Sequence, residues 1–124
     1  MKTKLPKRLK DKWIKALLSG KYKQGRESLC QLNSTTKEYE YCCMGVLGEI
    51  CKVPREILMD HGIFIDITLD IPLQKRSSLK NIPLVLMEEY SSKGSSNLVT
   101  KLVVFNDEKE RSFKWIAAYI KRYL

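Results

Sequence analysis

No run of apolar residues in this chain approaches the roughly 18 that a membrane-spanning helix needs, so the sequence offers no candidate span. A signal-peptide core is missing as well. Lys7, Arg8, Lys10, Lys12 and Lys15 interrupt every apolar stretch near the N-terminus, and the protein is expected to stay where it is made. Histidine is nearly absent, with His61 alone, and none of the four cysteines belongs to a Cys-x-x-Cys pair, so no donor set has the usual zinc spacing. Adjacent Cys42 and Cys43 cannot bridge without straining the backbone, and Cys30 and Cys51 fall in half-buried patterns. All four thiols are therefore expected to be reduced, to pack as small hydrophobes, and to mark an intracellular protein. Catalytic signatures are lacking too. Ser19-Gly20-Lys21 has no glycine five residues upstream of its glycine–lysine pair, as a phosphate-binding loop requires, and no Gly-x-Ser-x-Gly elbow occurs. Cys42 or Cys43 would have only His61 as a base, and nothing completes a metal shell around Asp66 and Asp70. The expectation is a protein with no catalytic residue, no metal and no cofactor.

What the sequence does have is charge, concentrated in one place. The net charge is +9 over 124 residues. Residues 1–26 hold ten Lys/Arg against one acid, Asp11, whereas residues 27–124 hold equal numbers of each sign. The whole excess thus sits in the first fifth of what reads as a single domain spanning 1–124. Such asymmetry points to an anionic partner: a nucleic acid, a nucleotide, an acidic protein or a membrane surface, of which the membrane is not expected.

Hydrophobic spacing predicts a helix-dominated α+β domain with a few short strands. Residues 6–19 read as the first helix, opened by Pro6 and stopped at Gly20, with Leu5, Leu9, Trp13, Ala16 and Leu17 as its core stripe. Ile14 and Leu18 form a second apolar edge, which either meets a twofold-related copy in a homodimer or is covered by Tyr22 and Leu29 of the same chain. Short strands are expected at Ser28–Leu32 and around Tyr39–Cys43, followed by a buried helix over Met44–Cys51 whose Gly45 and Gly48 permit close approach. Pro54 opens a short helix. The alternation of Ile63, Ile65 and Ile67 reads as a strand, and Asn81–Tyr90 as a compact helix. A Ser/Gly-rich loop follows at Ser91–Asn97, then a helix through Leu98, Leu102 and Phe105, and a last helix capped by Ser112.

The candidate ligand-binding residues are Lys21, Tyr22, Lys23, Gln24 and Arg26. Their loop interleaves cations, an amide and an aromatic ring between Gly20 and Gly25. Such a loop can bring its cations to phosphates while Tyr22 stacks on a base. Alternatively it is an exposed connection with Tyr22 tucked onto the core. Asn106 and Asp107 are a second candidate, although both suit a turn, and Asp107 also suits the positive end of the last helix.

Four blocks stand in order along the chain: Trp13-x-x-Ala16-Leu17-x-Ser19-Gly20-x-Tyr22-x-Gln24, Tyr41-Cys42-Cys43-x-Gly45-Val46-Leu47, Phe105-Asn106-Asp107, and Ser112-Phe113-x-x-Ile116-Ala117-x-x-Ile120. Together they resemble a family of short proteins encoded by tailed phages and prophages, mostly without assigned function. Met44 stands where that family usually has leucine. The resemblance implies a phage origin and action in the host cytoplasm, and it carries over no catalytic residue. Small phage accessory proteins often antagonise host defence. The expected function is therefore a non-enzymatic binder of an anionic nucleotide, such as a sponge for a defence signal. The alternatives are an inhibitor that clamps a host defence or nucleic-acid-processing protein, and a nucleic-acid-binding protein.

Overall fold

A computed structural model describes residues 5–59, 61–70, 79–87 and 97–124. The chain is a helix-dominated α+β domain with one small mixed sheet. Helix α1 (Lys7–Leu18) starts after Pro6, whose φ of -58 and missing N–H suit the entry to a helix. It stops where Gly20 takes a φ of 76. Trp13 and Leu17 on its inner face are buried, and the indole Nε1–H of Trp13 donates to the Cys43 carbonyl at 2.8 Å. A large ring is thereby buried without an orphaned donor.

Strands β1 (Lys23–Gln24), β2 (Cys30–Leu32) and β3 (Tyr39–Tyr41) form a sheet of order β1-β3-β2. The β1–β3 pair is parallel and the β2–β3 pair antiparallel, with Gln24 beside Tyr41 and Cys30 opposite the same residue. The β2–β3 turn is organised by Asn33, whose Oδ1 accepts from the amides of Thr35 and Thr36. It closes on Lys37, which adopts a left-handed φ of 65.

Helix α2 (Cys43–Ile50) is buried through most of its length. Gly45 explains how: a Cβ there would lie 1.6 Å from the Leu29 carbonyl oxygen, so the helix meets the backbone before β2 at a distance only glycine allows. Helix α3 (Arg55–Leu58) follows Pro54 as expected. The region 63–68, by contrast, is not a strand. Phe64–Asp70 is helix α4, and Ile63, Phe64 and Ile67 are buried at helical spacing. Alternation over so short a run of apolar residues does not distinguish the two periods, and here the helix satisfies its own backbone without a partner strand. Within the stretch expected to form a compact helix from Asn81, Leu84–Leu86 makes one 3-10 turn. The part of that stretch at 88–90 and the Ser/Gly-rich loop at 91–96 lie outside the described residues.

Helix α5 (Leu98–Val103), capped by the Asn97 side chain, runs directly into a π-helical turn (Val104–Glu108). Its signature is the Lys109 amide donating five residues back to Val104 at 2.8 Å. Helix α6 (Phe113–Tyr123) begins at Ser112, whose hydroxyl accepts from the Trp115 amide at 3.2 Å, and it packs along α1. Among the described residues no helix is long and apolar enough to cross a membrane.

Candidate functional site

The two-residue strand β1 divides the basic loop. Successive side chains of a strand point to opposite faces. Gln24 therefore turns inward while Lys23 turns outward, and the five loop residues go to four different places.

Gln24 and Asn106 meet 82 positions apart in the chain, the Gln24 Nε2 donating to Asn106 Oδ1 at 2.9 Å. The second Nε2 proton goes to the Arg111 carbonyl at 2.7 Å, and Gln24 Oε1 accepts from the Phe113 amide at 3.1 Å. Asn106 Oδ1 also accepts from the Cys43 amide at 3.2 Å, and its Nδ2 donates to the Gly25 carbonyl and to Asp107 Oδ1, both at 2.8 Å. The amides of Cys43 and Phe113 are the first of α2 and α6. The two carboxamides thus cap two helices at once, each supplying an acceptor to N–H groups that have no partner within their own helix. All four N–H donors of the pair are used, leaving neither carboxamide a free donor for a ligand. Asn106 is buried, in a π-helical turn rather than the simple turn its composition suggested.

Arg26 lies 3.7 Å from Glu110 in an exposed ion pair. Tyr22 packs its ring edge-on against Tyr41, with centroids 5.3 Å apart, and burial pushes its phenol pKa up. Lys21 and Lys23, by contrast, share a surface pocket of about 420 Å³ with Gly20, Lys37, Glu38 and Tyr39. Lys23 Nζ donates to Glu38 at 2.9 Å, which raises the lysine pKa. Lys37, and Tyr39, expected only as a strand residue, come from the far side of the β2–β3 turn. The Arg55 guanidinium lies over the Tyr39 ring, 4.1 Å from its centroid. Three lysines, one carboxylate and an aromatic ring give this pocket the chemistry of an anion site with a stacking surface.

A second feature was also missed in the sequence. Trp115, Tyr119 and Tyr123 follow one another along α6 at four-residue spacing, on the side away from the core stripe. Phe105 of the π-helical turn meets Trp115 and Tyr119 edge-on, and Arg111 covers Trp115 at 4.7 Å. Phe105, Trp115 and Tyr119 hold α6 to the π-helical turn, while Trp115 stays 37% and Tyr123 63% exposed.

The four thiols are free and buried. Cys42 caps α2 by accepting from the Gly45 amide at 3.3 Å, and Cys43 Sγ lies 3.8 Å from the Leu102 carbonyl. Burial pushes the Cys42 pKa up to about 12 and that of Cys43 well above its ordinary value. Such thiols are poor nucleophiles at neutral pH. All four are expected to resist a thiol-reactive dye in native protein and to react fully once urea unfolds it; rapid native labelling of Cys42 or Cys43 would contradict the packing. Burial also lifts Tyr41 to about 12. Cys42 and Tyr41 bind their protons more tightly when folded. Their contribution to stability is therefore intact below about pH 9, the ordinary thiol value, and is lost as pH rises towards 12. Urea midpoints measured from pH 8 upward should fall accordingly.

Among the described residues no group of three or more His, Cys, Asp or Glu could hold a metal. His61 bonds through Nδ1 to the Ile57 carbonyl at 2.8 Å. No curated protein and no solved structure matches the chain. A family model does match residues 5–124, from just before α1 through α6, and the chain therefore belongs to the family described as a domain of unknown function, DUF8296.

Proposed function

We propose that this protein is a non-enzymatic binder of an anionic nucleotide, made as an accessory protein by a phage and acting in the host cytoplasm against a nucleotide defence signal. The observation that carries the reading is the convergence of Lys21, Lys23 and Lys37 on a pocket that Tyr39 also lines. Its size falls in the range of small-molecule sites, and its lining pairs phosphate-seeking cations with a ring able to stack on a base. The Lys23–Glu38 pair is the latch: an incoming phosphate replaces the carboxylate as the partner of Lys23. Gln24, Asn106 and Asp107 serve the binding indirectly, by holding β1 in register with the two helix ends.

Thermal-shift screening with mononucleotides, cyclic dinucleotides and ADP-ribose-type compounds tests this, since a ligand that binds only the folded state raises its midpoint. The double substitution Lys21→Gln/Lys37→Gln removes two charge-assisted contacts of about 1.5 kcal/mol or more each and should weaken binding by about 100-fold. Both side chains are exposed, so the midpoint without ligand should hold. Ligand recovered after denaturation should be chemically unchanged. A cleaved product would make the protein an enzyme, and no shift with any anionic nucleotide would end the proposal.

A further inference from the structure

Helices α1 and α6 leave a groove between them on the surface, about 700 Å³ in volume, to which Ile14, Leu18 and Lys121 contribute. Leu18 is 54% exposed and Ile14 only partly buried. Neither Tyr22 nor Leu29 closes over Leu18: Tyr22 turns to Tyr41, and Leu29 is fully buried beneath α2. Around this apolar pair stand Lys7, Lys10, Lys15 and Lys121, with one acid, Asp11, which is already 3.0 Å from Lys7. The lining runs from Lys7 to Ser19, the whole length of α1. At about 1.5 Å per residue that is roughly three helical turns.

We infer that this groove is a docking site for an acidic amphipathic helix of another protein, which seats apolar side chains on Ile14 and Leu18 and sets carboxylates against the lysines. Charge complementarity selects this occupant. A second copy of the chain would bring its own ring of lysines against this one, and like charges oppose that approach. A nucleic-acid strand would satisfy the lysines but leave the exposed Leu18 and the partly buried Ile14 against phosphate and sugar. An acidic helix satisfies both parts of the lining, apolar anchors at i and i+4 matching the Ile14–Leu18 spacing. The site shares no lining residue with the Lys21–Lys23–Lys37 pocket, so the two are separable by mutation.

The test uses the full chain and a fluorescein-labelled synthetic helix with leucine at i, i+4 and i+7 and glutamate at the flanking positions. Three comparison probes accompany it: the same peptide with serine for leucine, the same peptide with glutamine for glutamate, and an oligo-dT strand. Fluorescence anisotropy should show the leucine/glutamate helix binding at least 10-fold more tightly than either altered peptide. Leu18→Glu should abolish that binding with an unchanged thermal midpoint, because the side chain is exposed; Lys10→Glu/Lys121→Glu should weaken it, and Lys21→Gln/Lys37→Gln should leave it intact. Methyl chemical shifts of Ile14 and Leu18 should move on titration. The inference is overturned by equal binding of the three peptides, by no binding of the leucine/glutamate helix, or by tighter binding of oligo-dT that Leu18→Glu does not affect. It is likewise overturned by a dimer in sedimentation that Leu18→Glu dissociates.

Discussion

Gly45→Ala is expected to leave little or no folded protein. The new methyl would lie 1.6 Å from the Leu29 carbonyl oxygen and 2.6 Å from its carbonyl carbon, both backbone atoms that no side-chain rotation can move aside. Relief requires α2 to withdraw from the strand region, which would pull Cys43 away from Asn106 and Trp13 as well. A loss above about 4 kcal/mol is the range of such backbone collisions, a large part of the stability of a domain this size. Gly20→Ala is the informative control. Gly20 also needs glycine, for its φ of 76, but nothing lies within 4 Å of its would-be Cβ, so only backbone strain of about 1 kcal/mol is at stake. Urea denaturation of both variants, with soluble yield as a first reading, separates them. A Gly45→Ala protein as stable as the wild type would mean that α2 does not sit against Leu29.

The second large effect is at Asn106. Asn106→Asp keeps the shape but replaces the Nδ2 donor with an oxygen facing the Gly25 carbonyl and the Asp107 carboxylate, turning two hydrogen bonds of 2.8 Å into repulsions in a buried site. Asn106→Leu keeps the volume and leaves the Cys43 amide and one Gln24 proton unpaired. Each is expected to cost about 3–5 kcal/mol, the aspartate more at neutral pH because an uncompensated charge is buried as well. Chemical denaturation measures both. Gln24→Leu should cost less than either Asn106 change, since the Gln24 position is only partly buried and water can reach the Phe113 and Arg111 groups it leaves. If both Asn106 variants matched the wild type, the double cap would contribute nothing to holding α2 and α6.

Much of this frame was legible locally. Pro6, Gly20 and Ser112 are punctuation that works without tertiary context, marking both ends of α1 and the start of α6. The glycines of α2 were correctly read as close-approach positions, because glycine inside a buried helix has few other uses. The helix at 64–70 reads as a strand because Ile65-Asp66-Ile67-Thr68-Leu69-Asp70 alternates strictly, and six residues are too few to separate a period of 2 from one of 3.6. The site was harder. Gln24 looked like a ligand residue because it sits among cations, yet its partners lie more than 80 positions away, a separation on which local spacing is silent. Lys37 escaped notice for the same reason: it reaches the pocket only through the Asn33-organised turn and the β1–β3 pairing. The stripe of Trp115, Tyr119 and Tyr123 was present in the spacing but hidden behind the core stripe of the same helix.

Because Gln24 waits for Asn106, Arg111 and Phe113, and α1 waits for α6, the amino-terminal half leaves the ribosome before the groups that complete it exist. Loop closures of this length come late in folding, after local turns and hairpins. During that interval Trp13 and Leu17 have no α6 to pack along, and a nascent chain showing such a stripe is prone to stick to its neighbours. The lysines of α1 flank that stripe throughout, so the charge that marks this segment in the finished molecule also keeps growing chains apart until the last helix arrives.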